Sequence, residues 1–357
     1  MQRITTIGLD LAKAKFQVHG IDAEDNAVLR RQINRKDLLA FFAKLPPCLV
    51  GIEACATAHH WAREIAKLGH EVGLLPPSEV KPYCRRGKSD AIDAEAICEA
   101  VQRPRIKQVP VKTIAQQGML MSHRSRELLV GQRTATINAI RGHLAEIGVV
   151  AAEGHEGVKQ LIAILRDAGD ARVPAGVRQA LAPLVEVLAS VSGEVTACER
   201  TINQTLREDD TSQRLTTIPG IGPITATALA ATVGNAKVFK SARSFAAWLG
   251  LTPRLDGTGG KVTLGAITKK GDRYLRKQLY LGAVSVLGRI KRKLIGKSPS
   301  LANWAEALLA RLTFKEAAIA LANKMARIAW AVMARGGVYQ AGHKPAVPTR
   351  APSAVTA

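Results

Sequence analysis

Residues 4–10 read Ile-Thr-Thr-Ile-Gly-Leu-Asp, a run of β-formers that closes on a carboxylate. After a short turn the strand pattern resumes over Lys15–Ile21. A second compact apolar run, Cys48-Leu-Val-Gly-Ile-Glu53, is short enough for a buried strand and also ends on a carboxylate. Residues 34–45 predict a helix stopped by Pro46-Pro47, and residues 59–68 a second one stopped by Gly69. Glu71–Leu75 predicts a further strand ending at Pro76-Pro77. Strands alternating with helices over the first hundred residues predict an α/β layer.

From Ser89 the pattern turns helical. Residues 112–147 form a long Arg-rich stretch without proline, residues 154–176 are broken by glycines, and residues 177–207 form a second long amphipathic stretch. Two long helices about a flexible link predict a helical hairpin or coiled-coil arm. A third unit, punctuated by Pro219, Gly220, Gly222, Pro223, Gly250 and Pro253, runs on to about residue 331. The tail over 336–357, rich in Gly, Pro, Ala and Ser, reads as disordered.

Composition bounds the class of partner. The chain has 357 residues, 47% hydrophobic and 22% charged, the balance of a globular protein of two or three domains. Its 51 Lys and Arg against 29 acids give a net charge of +22, an excess that calls for a polyanion, nucleic acid before membrane. Aromatics at 4% argue against a protein that stacks many single-stranded bases on rings. Five scattered cysteines without a CxxC pair exclude a disulfide framework and a zinc ribbon, and fit a reducing cytoplasm. The N-terminus lacks a signal-peptide core, and no run of ~18 apolar residues is expected to span a bilayer.

Three features of the first hundred residues converge. Asp10 and Glu53 close hydrophobic strands, and Asp90 and Asp93 stand three apart at a predicted helix start, Lys88-Ser-Asp-Ala-Ile-Asp-Ala-Glu-Ala96. Residues at i and i+3 share a helix face, ~5–6 Å apart at Cβ. Strand-end carboxylates brought against that face would make a cluster of hard oxygen ligands for Mg²⁺ or Mn²⁺. Carboxylates at such range cannot all stay ionised without cations. The plainer alternative makes Asp90 a helix N-cap with Asp93 imitating a capping box, and Asp10 a turn residue. Glu53 fits that alternative least, because an unpaired carboxylate beside Val50-Gly51-Ile52 is costly.

Two further stretches point to phosphate. Thr217-Ile-Pro-Gly-Ile-Gly-Pro-Ile-Thr-Ala226 sets Gly220 and Gly222 between apolar helical runs, the chemistry of a helix-hairpin-helix gripping a nucleic-acid backbone. An ordinary helix connection is the alternative. Residues 240–297 hold fourteen Lys or Arg against two acids, more than half of the chain's excess charge. A phosphate-backbone footprint accounts for that imbalance better than a solvated face does. The embedded segment Gly250-Leu-Thr-Pro-Arg-Leu-Asp-Gly-Thr-Gly-Gly-Lys261 is superficially P-loop-like, but no glycine stands five before Gly260 and Val262 replaces the required Ser or Thr.

In their order, IGLDLAKAKF, GIEACATAHHWA, KSDAIDAEAI, IPGIGPITATALAATVG, FAAWLGLTPR and ITKKGDRYLRKQLYLGA resemble the DEDD transposases of bacterial insertion sequences (the IS-one-ten group and its relatives, including site-specific DNA invertases) over residues 4–335. The resemblance implies an RNase H-like (RuvC-like) domain over 1–110, a helical coiled-coil arm over 111–210 and a mostly helical C-terminal transposase domain with a helix-hairpin-helix over 211–335. It implies that Asp10, Glu53, Asp90 and Asp93 are the catalytic carboxylates holding Mg²⁺ or Mn²⁺, and that a C-terminal hydroxyl attacks DNA. The implied partners are DNA (element ends and target), a structured non-coding guide RNA from the element, and further copies of the chain as a dimer or tetramer, in the cytoplasm at the nucleoid and without a membrane.

One departure stands out. The family serine is absent from residues 255–260, where Thr258 is the aligned hydroxyl. Either Thr258 is the nucleophile, despite a crowding methyl and a stiffer χ1, or this copy is impaired at that step. Arg254, Lys261, Lys269, Lys270, Arg273 and Arg276 are then expected to hold phosphates. The rivals are a hydrolytic junction resolvase, an actin-like nucleotide binder (which expects Gly and then Thr or Ser after the first-strand Asp, where Leu11-Ala12-Lys13 stand), and a non-enzymatic nucleic-acid-binding relative.

Overall fold

A computed structural model of the chain describes residues 3–84, 89–258, 261–292 and 299–342, the side chains at 258, 261, 262, 299 and 300 excepted. The chain divides after Thr113 into two compact units.

The first unit runs β1 (Thr6–Asp10), β2 (Lys15–Ile21), β3 (Ala27–Asn34), α1 (Leu38–Phe42), β4 (Leu49–Glu53), α2 (Ala58–Lys67), β5 (Glu71–Leu75), α3 (Pro77–Val80) and α4 (Asp90–Val101). Its five strands form one sheet in the order β3-β2-β1-β4-β5. The pairs β1–β2 and β2–β3 are antiparallel, and β1–β4 and β4–β5 are parallel. One face carries Ile7, Leu9, Phe16, Val18, Val50, Ile52 and Leu74 against Leu38, Phe42, Trp61 and Ile65 of α1 and α2. On the other lies α4, with Ile97 and Val101 buried.

A row of glycines sets how closely α4 approaches. Gly8, Gly51 and Gly73 pair in register across β1, β4 and β5. A Cβ on Gly8 would stand 2.1 Å from Ala94 O, and one on Gly51 would stand 2.7 Å from Val101 Cβ. The helix therefore seats directly on bare backbone, as glycine within a strand permits. Asp10 and Glu53 stand two residues beyond Gly8 and Gly51, on the same face, at the strand ends.

Two expectations are corrected in this unit. β3 was not anticipated: its exposed Arg30, Arg31 and Gln32 mask the strand pattern, and only Ile33 is buried. Residues 34–45 hold only a 3-10 turn (Arg35–Asp37) and the five-residue α1.

The second unit runs α5 (Ile114–Glu146), α6 (His155–Arg166), α7 (Ala175–Glu208), α8 (Asp210–Thr216), α9 (Pro223–Val233), α10 (Ala242–Trp248), β6 (Pro253–Thr258), β7 (Lys261–Ile267), α11 (Arg273–Lys291), α12 (Pro299–Leu309) and α13 (Phe314–Arg335). α5 and α7 pack antiparallel: Arg126 meets Glu199 toward one end, and Ile140 and Leu144 meet Leu181, Val185 and Leu188 toward the other. α6 closes that second end with Leu161, Ile164 and Leu165, so the glycine-broken stretch is itself helical. The helices α8 to α13 share a separate core that includes Leu229, Phe245, Leu275, Leu279, Leu321 and Met325.

By length and composition alone α7 and α13 are long and apolar enough to cross a membrane, a test that core helices also pass; both bury residues in the cores just described. The tail expected to be disordered begins in placed structure. Gly336 closes α13 in a left-handed conformation, and the Tyr339 amide donates to Thr217 Oγ1. Residues 343–357 lie outside the described residues.

A buried polar contact joins α5 to this core. Thr227 Oγ1 donates to Pro223 O, so it accepts from His123 Nε2–H at 3.1 Å, and His123 Nδ1 then accepts from the Tyr274 hydroxyl at 3.1 Å. Burial first, then Arg126 and Arg124, push the His123 pKa down to about 4, and the residue is 1% exposed. Because the folded value lies below the unfolded one, this stability is complete above pH ~6.5 and is lost as pH falls toward 4, on the order of 3 kcal/mol in all. Melting followed between pH 7 and 4.5 is expected to show a smaller acid shift for His123→Gln than for the parent; an unchanged shift would contradict the neutral, doubly bonded imidazole.

Candidate metal centre

β1 and β4 run parallel, with Leu9 paired to Ile52. Asp10 and Glu53, one residue further on, are therefore neighbouring strand ends. Ser89, whose Oγ accepts from the Ile92 amide, caps α4. The alternative in which Asp90 caps the helix is thereby displaced: Asp90 and Asp93 fall inside the first turn, where the positive end of the helix favours carboxylates.

Carboxylate oxygens of Asp10, Asp90 and Asp93 lie within 4.8 Å of one another. Asp10 and Asp93 are half-buried and Asp90 is exposed. Glu53 stands outside that trio but within its field. The Asp10 pKa is raised to about 6 by burial first, then by Asp93, Asp90 and Glu53. Glu53 is raised too, by burial and then by Asp93. Among the described residues, the charges that act on Asp10 are those of Asp93, Asp90 and Glu53, all negative, and the Leu11 amide opposes them. A half-buried carboxylate beside three like charges calls for a counter-charge, and the donor set is hard oxygen, so the residues fit a divalent cation.

Cys84 joins the site without a signal in the sequence. Its thiol points at Asp93 Oδ1, 3.7 Å away, and its pKa is raised by burial, then by Asp93. It stands as the protonated donor that steadies Asp93. No spacing signal marks it, because the turn formed by residues 81–83 brings it there.

The expected nucleic-acid residues are distributed over the second unit. Gly220 (φ 86°) makes the turn between α8 and α9, but a Cβ there would lie 2.9 Å from Gly282 O, so it seats the turn on α11; Gly222 has open space around it. Arg254, Lys269, Lys270 and Arg273 are exposed, on the β6–β7 hairpin and the loop leading into α11. Arg276, expected to hold phosphate, also has a structural part. It is half-buried and its Nη1 donates to Leu249 O, Lys270 O and Gly271 O, tying down the base of the hairpin. Thr258 and Lys261 end β6 and begin β7, but their side chains lie outside the described residues.

A five-stranded mixed sheet with a strand-end aspartate facing two more from a single helix turn, followed by a helical region, fits an RNase H-like domain carrying a carboxylate centre. The comparisons give this class its family. The model for IS110-type DEDD transposases matches residues 7–149, and that for the transposase IS116/IS110/IS902 family matches residues 212–297. The chain is 45% identical to a Pseudomonas aeruginosa protein named "Probable family 20 transposase", over 95% of this chain and 99% of the relative. It is 40% identical to the transposase for insertion sequence element IS1328 of Yersinia enterocolitica (95% and 99%) and 34% identical to that for IS1111A of Coxiella burnetii (96% and 93%). The chain belongs to the IS110/IS116 family of insertion-sequence transposases. Membership implies an enzyme that binds, cuts and recombines DNA, in a group that generally uses a divalent metal.

Proposed function

We propose that this chain moves its insertion sequence by strand transfer, with Mg²⁺ or Mn²⁺ held by Asp10, Asp90 and Asp93 and approached by Glu53. The observation that carries the reading is the convergence of Asp10 with Asp90 and Asp93, some eighty residues later in the sequence, to within 4.8 Å. Such a cation, when bound, would polarise a phosphodiester oxygen and shield the negative charge that builds on the phosphoryl oxygens. Cys84 keeps Asp93 aimed, and Asp10, burdened by three like charges, is the ligand that gains most from a cation.

The hydroxyl of Thr258 attacks phosphorus. The new P–O bond to Thr258 Oγ forms as the bond to the departing nucleoside oxygen breaks, the threonine proton is lost and the departing oxygen gains one. Rejoining reverses these steps with a new strand end. In this reading the turn from α8 to α9 serves as the helix-hairpin-helix, α5 and α7 form a coiled-coil arm, and the basic hairpin grips backbone phosphates. A structured RNA partner, assembly as a dimer or tetramer, and a cytoplasmic, nucleoid-associated location belong to the same proposal. The support for these is the likeness to insertion-sequence transposases and the +22 charge.

Excision of a plasmid-borne element tests the reading. Asp93→Ala and Glu53→Ala are each expected to lower it by on the order of 10³-fold, the several kcal/mol a cation site supplies. Thr258→Val is expected to abolish it and Thr258→Ser to retain it, with a protein–DNA adduct visible on denaturing gels. Undiminished excision in the carboxylate variants would overturn the metal site. DNA cleavage without any adduct would favour a hydrolytic resolvase.

A further inference from the structure

Asp10 and Glu53 end neighbouring strands of the sheet, and the transverse row of Asp10 continues away from them. Asp10 pairs with Gln17, and Gln17 with Gln32, so the three share a face and lead from the centre to the free edge at β3. The neighbouring rows are Gly8–His19–Arg30 and, at the outer end, Lys15–Asn34. α4 covers the glycines but leaves the β3 end of this face open, with Arg30, Gln32 and Asn34 all exposed. A cavity of about 190 Å³ lies where α4 meets this shelf, lined by Gln17, His19, Arg30, Ala91, Ile92 and Glu95.

That volume is below the ~300 Å³ of an enclosed small-molecule pocket. The cavity opens onto an edge strand whose outward side chains are amides and cations, with no apolar residue among Arg30, Gln32 and Asn34. Burial, His19 being 6% exposed, pushes its pKa down, with Glu95 opposing that shift and Arg30 adding to it. Half-buried Glu95 forms the helix-side wall, so an anion is admitted at the exposed rim, where Arg30 is.

We propose that this shelf seats the DNA strand leading into the carboxylate centre, with Arg30 holding a backbone phosphate and Gln17 and Gln32 hydrogen-bonding the same strand. Strands ~4.8 Å apart put Gln32 about 10 Å from Asp10, roughly the rise of three nucleotides at ~3.4 Å each. The inference rests on the transposase reading above, but it assigns residues to which that reading gives no part.

The test is a salt titration of binding by the full chain to a labelled single-stranded DNA oligonucleotide in EDTA, with an RNA oligonucleotide of the same sequence in parallel. Losing one phosphate contact lowers the slope of log K against log salt by ~0.7 on a single strand. Arg30→Gln is expected to show that decrease and to weaken binding several-fold, Arg30→Lys to restore the slope, and Gln32→Ala to weaken binding with the slope unchanged. An unaltered slope in a normally melting Arg30→Gln would overturn the proposal, as would a change confined to RNA. Should Asp93→Ala leave excision intact, the metal reading fails while the Arg30 slope is still measured on its own terms.

Discussion

Asp10→Asn is expected to do two opposite things: to lower excision by on the order of 10³-fold, and to raise the melting temperature of the cation-free protein at pH 7.5 by a few degrees. Both follow from one geometry. Asp10 is half-buried at the end of β1, and burial together with Asp93, Asp90 and Glu53 raises its pKa from 3.8 to about 6. The folded value lies above the unfolded one, so folding favours the protonated acid. The stability that acid contributes is fully present below pH ~4 and is lost as pH rises through 6. At neutral pH an ionised Asp10 therefore works against the fold until a cation offsets it, and the isosteric amide removes that charge. Melting in EDTA should fall between pH 5 and 7.5 more for the parent than for Asp10→Asn, and Mn²⁺ should raise the parent much more than the variant. A variant that is inactive but less stable than the parent in EDTA at pH 7.5 would mean that Asp10 is a structural hydrogen-bond acceptor rather than a strained ligand.

The carboxylates were legible in the sequence because each stands at a punctuation mark: Asp10 and Glu53 where an apolar strand stops, Asp90 and Asp93 at i and i+3 where a helix starts. Such signals are local, and local signals survive without knowledge of the fold. β3 was invisible because an edge strand needs little apolar content, and Arg30-Arg-Gln32 reads as loop. Cys84 and the inward turn of Arg276 were invisible because both are consequences of packing, set by a tight turn in one case and by three loop carbonyls in the other. The turn chemistry of Gly220 suggests a phosphate role, whereas its close approach to Gly282 depends on a helix some sixty residues later. The seating of α4, by contrast, does leave a signal in the sequence. Three apolar strands each carry one glycine, Gly8, Gly51 and Gly73, where glycine otherwise weakens a strand.

Those glycines give the second large effect. Gly8→Ala adds one methyl group, placed 2.1 Å from Ala94 O, 2.4 Å from Cys98 N and 2.8 Å from Cys98 Cβ. The first two are backbone atoms of α4, so no rotamer change relieves the overlap, and the helix must lift or the strand must bend. Overpacking of this kind costs ~1–3 kcal/mol when side chains can yield and more when they cannot. Gly8→Ala is therefore expected to cost about 3 kcal/mol or more. The lift also separates Asp90 and Asp93 from Asp10, so whatever fold survives should lose its melting response to Mn²⁺ and its excision activity together. Gly118→Ala supplies the contrast, since nothing lies within 4 Å of a Cβ there and the residue is inside α5. That substitution should stabilise the protein by up to ~1 kcal/mol and leave the Mn²⁺ response intact. If Gly8→Ala instead melted within a degree of the parent and kept its Mn²⁺ response, α4 would not be pressed on the sheet, and the backbone contact that brings the two halves of the carboxylate cluster together would have to be abandoned.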